Sequence, residues 1–144
     1  MLGPLLYSLY TTPIGDILRH HSVSFHQYGD DTQVYYSFKL SDFADFEQTK
    51  LKLQSCINDI NAWMVHNDLQ LNDDTTKVFV FHANHYPPPP LECFQVATAC
   101  IKSSDNATNI GGMFDSSLSL DRQISIVCKS ALYLIRSISR IKSL

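Results

Sequence analysis

Ser22-Val23-Ser24-Phe25-His26-Gln27-Tyr28-Gly29-Asp30-Asp31-Thr32-Gln33-Val34-Tyr35-Tyr36-Ser37-Phe38 reads as two strands joined by a tight turn. Both flanks of Tyr28-Gly29-Asp30-Asp31 alternate and are rich in β-branched and aromatic residues, which suit a half-buried pleated surface. Gly29 falls at the first central position of a two-residue type II′ turn, where a positive φ is needed and glycine supplies it without steric cost. Asp30 is the second central residue and Asp31 opens the return strand. Two adjacent carboxylates are thereby set at an exposed tip. A cation relieves their mutual repulsion, and a divalent ion with oxygen ligands is the natural candidate. A Gly-Asp-Asp turn alone is an ordinary solvated turn, because glycine and aspartate dominate turns. Its neighbours carry the reading further.

A chain of 144 residues with 44% hydrophobic and 17% charged residues is globular in composition and sized for one domain with a moderate core. The net charge of −3 does not mark a nucleic-acid binder in bulk, but charge is unevenly distributed. Nine acidic residues stand against three lysines between Asp30 and Asp74. From Arg122 onward there are five basic residues (Arg122, Lys129, Arg136, Arg140, Lys142) and no acidic one. A basic terminal helix on an acidic body suits a phosphate-facing segment, and a solvated helix face would look the same. Cys56, Cys93, Cys100 and Cys128 are scattered without a close pair, so no disulfide framework is expected. The N-terminus lacks a signal-peptide pattern and no run is long enough to span a membrane. An intracellular protein, nuclear or cytoplasmic and not secreted, is expected, and the Asn106-Ala-Thr108 sequon then carries no weight.

Outward from the hairpin, residues 4–21 predict a helix broken near its middle. Pro4 starts it, Leu5, Leu6, Leu9 and Tyr10 form an apolar face, and Thr12-Pro13 restarts it as cap and first residue. His20 and His21 lie near its C-terminus as dipole partners. Ser41 is expected to cap a long helix to about His66, whose stripe is Leu53, Cys56, Ile57, Ile60, Trp63 and Met64. Leu69-Gln70-Leu71-Asn72 is short and alternating, and 77–82 reads as a strand. Tyr86 and the four prolines that follow make a stiff spacer. Residues 93–101 predict a second hairpin, and 109–115 a short glycine-bearing strand. A last helix, about 120–141, carries the stripe Leu120, Ile124, Val127, Ala131, Leu134, Ile138, Ile141. His82, His85, Cys93 and Cys100 can be drawn as a zinc site, but the tight ligand pairs usual for zinc are missing.

Taken in order, several of these stretches resemble one family. They are Leu2-Gly3-Pro4-Leu5-Leu6-Tyr7, Phe25 to Gln33, Trp63-Met64, Leu69 to Asn72, Ile110-Gly111-Gly112-Met113-Phe114-Asp115 and Cys128-Lys129-Ser130-Ala131. The set is similar to the C-terminal half of the reverse transcriptase of non-LTR (LINE-type) retrotransposons, over essentially the whole chain. The resemblance implies an α+β fold: a palm-like antiparallel sheet packed on helices over 1–118, then the helical start of a thumb over 119–144. It implies that Leu2 to Tyr7, with Gly3 and Pro4, is the tail of motif B. Tyr28, Gly29, Asp30 and Asp31 would be the metal-binding hairpin of motif C, where the family usually has Ala in place of Gly29. Leu69 to Thr76 matches motif D, with Thr75 at the family's lysine position and Lys77 where Glu is usual. Gly111 and Phe114 fall in the primer grip, with Gly112 where a larger apolar residue is usual. Lys129, Arg136, Arg140 and Lys142 would follow the nucleic-acid backbone.

The activity implied is RNA-directed DNA polymerisation by two-metal nucleotidyl transfer, with Mg2+ (or Mn2+), an RNA template, a DNA primer and dNTPs as partners and no membrane. Asp30 and Asp31 would be the catalytic, metal-holding carboxylates. The family's third aspartate, in motif A, and its fingers lie upstream of motif B, so the chain is expected to begin after them and to be inactive without that N-terminal half. Loss of the motif A strand would leave an unpaired sheet edge and exposed apolar surface. Two other readings stand beside it. One is a noncatalytic nucleic-acid-binding remnant that uses the basic helix. The other is a small viral RNA polymerase palm, suggested by Gly29 and opposed by the Leu-Gly-Pro-Leu-Leu and Cys-Lys-Ser-Ala segments.

Overall fold

The computed structural model describes residues 2–39, 42–83, 91–97, 99–109 and 111–142, with the Lys142 side chain outside the description. The chain divides into two compact units, Met1–Thr76 with Pro89–Lys102 and Lys77–Pro88 with Ser103–Leu144. Helices and small antiparallel sheets are mixed, which is the α+β class expected. The antiparallel strands form three separate hairpins, and among the described residues no strand links one hairpin to another.

In the first unit, α1 (Gly3–Tyr10) and α2 (Thr12–His20) meet at the Thr11-Thr12-Pro13 break. Neither threonine acts as the expected side-chain cap. Thr11 Oγ1 donates to the Tyr7 carbonyl at 3.0 Å and Thr12 Oγ1 to the Ser8 carbonyl at 3.1 Å, so both hydroxyls satisfy the end of α1. The apolar face expected of α1 does form as a stripe, but it is not buried. Leu5, Leu6 and Leu9 are 67%, 58% and 72% exposed, because this short helix meets the rest of the unit through its C-terminal end, on α2 and through Tyr10. Tyr10 is tied down by its hydroxyl, which donates to the Asn67 carbonyl at 2.9 Å, and by its ring against Trp63.

Helix α3 (Phe43–His66) starts at Asp42, whose carboxylate accepts from the amides of Ala44 and Asp45 at 3.0 and 3.3 Å. The expected cap, Ser41, lies outside the described residues. Its carboxylate lets Asp42 satisfy two orphan amides and favour the positive helix end at once. The predicted α3 stripe is the core stripe. Cys56 and Ile60 are buried with Ile14, Leu18 and Val23, and Leu53, Ile57, Trp63 and Met64 pack against them. Burial, reinforced by the Asp59 charge, pushes the Cys56 thiol up, so it serves as a small apolar filler.

α2 and α3 end in the same way. Ser22 N–H reaches the Arg19 carbonyl and Val23 N–H the Leu18 carbonyl; Asp68 N–H reaches Val65 and Leu69 N–H reaches Met64. These are the paired bonds of a Schellman cap, with Ser22 (φ 50) and Asp68 (φ 55) left-handed where glycine is usual. The first cap delivers Val23 into the core beside Leu18 and turns the chain into β1. His21, 13% exposed and at the end of α2, meets the Asp59 carboxylate at 2.6 Å, tying the two helices together.

β3 (Phe94–Val96) and β4 (Ala99–Ile101) form the expected second hairpin, in the register Phe94↔Ile101. Gln54 of α3 brackets β3, its Oε1 accepting from the Gln95 amide at 3.1 Å and its amide donating to the Gln95 carbonyl. Cys93 and Cys100 are joined as a disulfide across this hairpin, against the expectation from their scattered spacing. The antiparallel register brings together two sulfurs that sequence separation alone does not pair.

The second unit holds β5 (Asn106–Asn109), β6 (Gly112–Asp115) and α4 (Asp121–Lys142). The strand expected over 77–82 is absent. That segment keeps one isolated bridge, Val78 to Ser103, and two backbone bonds, Ser104 N–H to Val78 O and His82 N–H to Ser116 O. A strand needs a continuous ladder of partners, and no strand among the described residues supplies one here. Tyr86 and the prolines lie outside the described residues.

Leu18 and the His21–Asp59 pair hold the same helix junction by different means, and magnitudes separate them. Leu18→Ala is expected to cost about 2–5 kcal/mol, since it opens a cavity in a fully buried site. Asp59→Asn is expected to cost less than about 1 kcal/mol, because Asp59 is solvent-exposed and its attraction screened. Urea denaturation of both variants measures the difference.

Candidate functional site

β1 (Ser24–Tyr28) and β2 (Asp31–Tyr35) pair antiparallel through the register Tyr28↔Asp31, Gln27↔Thr32, His26↔Gln33, Phe25↔Val34 and Ser24↔Tyr35. Gly29 and Asp30 form the two-residue turn, as the sequence predicts. Gly29 has φ 62 and Asp30 is not among the positive-φ residues, the sign pattern of a type II′ turn. The twist of that turn matches the twist of the strands, which keeps the register short and unique.

Strand alternation sorts the hairpin into two faces. Phe25 and Val34, paired with one another, pack on the α2–α3 core. Gln27 shares that face, with its side-chain oxygen close over Gly15 of α2. Tyr28 and Asp31 share the opposite, open face with His26, Gln33, Ser24 and Tyr35, where the His26 and Tyr35 rings stack at 5.7 Å. Tyr28 is 68% exposed, and both Asp30 and Asp31 are exposed. Neither carboxylate makes a hydrogen bond or ion pair with any described residue. The turn thus holds two unengaged carboxylates at the tip of a hairpin whose other face is anchored in the core.

These oxygens are hard ligands of the kind Mg2+ and Mn2+ take, and nothing in their surroundings competes for them. Two carboxylates fill only part of such an ion's coordination shell. Among the described residues no group of three His, Cys, Asp or Glu side chains gathers, at the hairpin or elsewhere. The zinc arrangement drawn from the sequence does not form: Cys93 and Cys100 are bonded to one another, His82 Nδ1 lies 3.1 Å from the Ala83 carbonyl, and His85 is outside the described residues.

The other residues singled out by sequence fall in both units. Gly3 and Pro4 are exposed in the first turn of α1. Thr75 is exposed in a turn built on Asn72, whose carbonyl accepts from the Thr75 and Thr76 hydroxyls at 3.3 and 2.7 Å. These share the first unit with Tyr28 to Asp31. Lys77, Gly111, Phe114, Lys129, Arg136, Arg140 and Lys142 belong to the second. Gly111 (φ 77) turns β5 into β6, and Phe114 is half-buried opposite Ala107; Ile110 lies outside the described residues. Lys129, Arg136 and Arg140 are exposed along α4.

Two features escaped the sequence reading. Asn106–Asn109 is a strand, although asparagine disfavours one, because it has β6 to pair with. Asp115 organises the approach to α4: it accepts from the Ser119 hydroxyl and, at 3.4 Å, from the Leu120 amide. These bonds, the Ser119 hydroxyl foremost, hold its carboxyl below the usual carboxylate range. The signal available was an aspartate four residues before a serine at a helix start.

Compared with protein-family models, curated proteins and solved structures, the chain matches none. No helix of the described residues is long and apolar enough to cross a membrane.

Gly29→Ala is expected to destabilise the hairpin by about 1–2 kcal/mol, since the space around it is open and only the left-handed backbone penalises a side chain. Hydrogen exchange at the His26 and Gln33 amides, a hydrogen-bonded pair of the ladder, reads this out, and Asp30→Asn is expected to leave the same amides unchanged. A lowered folded value means that Asp115 stabilises the protein above the ordinary carboxylate value of about 3.9 and that this is lost as pH falls through the folded value. Acid titration of stability should show wild type and Asp115→Asn converging below that pH and separated above it.

Proposed function

We propose that this chain is the palm-and-thumb part of an RNA-directed DNA polymerase of the non-LTR retrotransposon type, with Asp30 and Asp31 as its metal-holding carboxylates. The observation that carries the reading is the pair of unengaged carboxylates at a rigid type II′ tip, set on a packed platform. Order and spacing of the other family-like segments support it. Bound divalent cations would activate the primer 3′-hydroxyl and neutralise the departing pyrophosphate.

What the chain's own residues contribute is position and charge. The turn fixes Asp30 and Asp31 relative to the strands, so their repulsion is met by an incoming cation and not by rearrangement. The open face beside them, Tyr28, His26 and Tyr35, offers aromatic surface to a primer terminus. A full coordination shell needs a further carboxylate, which in this reading comes from the family's motif A. The chain alone is therefore a weak metal binder.

Mn2+ titration followed by electron paramagnetic resonance tests the site. Binding with a Kd of about 10⁻⁴–10⁻³ M is expected, lost in the Asp30→Asn/Asp31→Asn double variant and kept in Asp73→Asn/Asp74→Asn. Supplied with the N-terminal half of the polymerase, fingers and motif A included, the chain is expected to extend a DNA primer on an RNA template, and Asp30→Asn to abolish it. Extension that survives Asp30→Asn removes the assignment.

A second reading, a noncatalytic nucleic-acid binder, is favoured by exposed Arg122, Lys129 and Arg136 on a helix without acidic residues after Asp121. In that case RNA binding falls steeply with salt, and each cation neutralised reduces the slope of log K against log salt by about 0.7–0.9.

A further inference from the structure

The β3–β4 hairpin belongs to the first unit, yet the chain on both sides of it, 77–88 and 103–144, belongs to the second. No covalent neighbour in the first unit holds it there, so side-chain contacts do. Phe94 and Val96, on its inner face, are 6% and 1% exposed, and Gln54 of α3 holds the Gln95 amide and carbonyl. Docking of this kind requires paired strands, because the inner face exists only while the register holds. Three residue pairs are little to hold it, since a two-stranded hairpin is marginal by itself.

The Cys93–Cys100 disulfide supplies what the short ladder lacks. Alternation turns Phe94 and Val96 inward and puts Cys93 and Gln95 on the outer face, where Cys100 stands opposite Gln95. The bridge therefore crosses the outer face and takes nothing from the contacts with α3. It closes the chain over a sequence separation of 7, which restricts the undocked hairpin more than the docked one and so favours docking. Cys100 is exposed, so a thiol in solution reaches its sulfur.

We infer that Cys93 and Cys100 form a reversible thiol–disulfide switch: oxidised, the pair keeps the β3–β4 hairpin docked on α3, and reduced, it lets the hairpin undock. The co-reactant is a dithiol. One of its thiolates attacks the Cys100 sulfur, forming a mixed disulfide and expelling Cys93 as a thiolate that takes up a proton. The second thiol of the dithiol, deprotonated, then displaces Cys100, which is protonated in turn. Two electrons have passed to the protein pair, and the dithiol leaves as a cyclic disulfide. The switch is independent of the nucleotidyl-transfer reading.

Hydrogen exchange of the full chain with and without dithiothreitol tests it. The Gln95 amide, bonded to Gln54, reports docking, and the Val96 and Ala99 amides, the pair that closes the turn, report strand pairing. Reduction is expected to speed exchange at all three by about tenfold or more and to leave the Leu18 and Ile60 amides of the α2–α3 core unchanged. Cys93→Ser/Cys100→Ser is expected to match the reduced protein and to ignore dithiothreitol, whereas Cys128→Ser keeps the full response. Iodoacetamide labelling read by mass spectrometry should find Cys93 and Cys100 protected before reduction, labelled after it, and rejoined by oxidised glutathione. Equal exchange at Gln95 in the two states makes the disulfide a passive staple and overturns the switch. So do thiols at 93 and 100 that label without reductant and that oxidised glutathione fails to join, or a Cys93→Ser/Cys100→Ser variant that still responds to dithiothreitol.

Discussion

The junction of α2 with α3 around Leu18 and Cys56 is the contact from which the first unit is built. Leu18 and Cys56 are fully buried, and Ile14, Val23 and Ile60 close around them. Phe25 and Val34 lie on that core as a cross-strand pair, so the same apolar burial that joins the helices also holds down one face of the hairpin. A two-stranded hairpin is marginal by itself, and this platform makes it a fixed element. The consequence reaches the turn. With the inner face anchored, alternation leaves Tyr28 and Asp31 on the outer face and Asp30 at the tip, where solvent or a ligand reaches them.

Backbone conformations that side chains resist recur where this chain changes direction. Ser22 and Asp68 close α2 and α3 in the left-handed region, and Leu118 (φ 55) and Leu120 (φ 58) do the same ahead of α4. Each costs more than glycine would, by about 1–2 kcal/mol. The helix closures recover this through paired backbone bonds and through delivery of Val23 to the core. Before α4 the compensation is polar, from the Asp115 carboxylate bonded to Ser119 and Leu120. Glycine serves two of the hairpin turns, at Gly29 and Gly111, where strand twist demands a positive φ, whereas Ala97 (φ 50) takes that conformation after β3.

On α4 the cations Arg122, Lys129 and Arg136 recur at intervals of seven and so share one side. Apolar exposure is spread more widely: Ile126, Leu132, Tyr133 and Ile135 are exposed besides Ile124, Val127, Leu134 and Ile138.

Much of this was local enough to read from the chain alone. The type II′ turn at Gly29-Asp30, the break at Thr11 to Pro13, the extent and core stripe of α3 and the span of α4 all follow from short-range rules: steric limits on φ, capping and a 3.6-residue period. The α+β class came from the family resemblance, and the mix of helices with small antiparallel sheets agrees with it. What the sequence could not settle depended on partners distant along the chain. Whether 77–82 became a strand rested on a neighbour with a matching ladder, and none came; Asn106–Asn109, poor in propensity, became one because β6 lay beside it. The Cys93–Cys100 pairing required the β3–β4 register, and the exposure of α1 and α4 required knowing that nothing in the described structure covers their apolar faces. Periodicity shows which residues form a face; only the tertiary arrangement decides whether that face is buried, because burial is a property of two surfaces and a sequence pattern describes one.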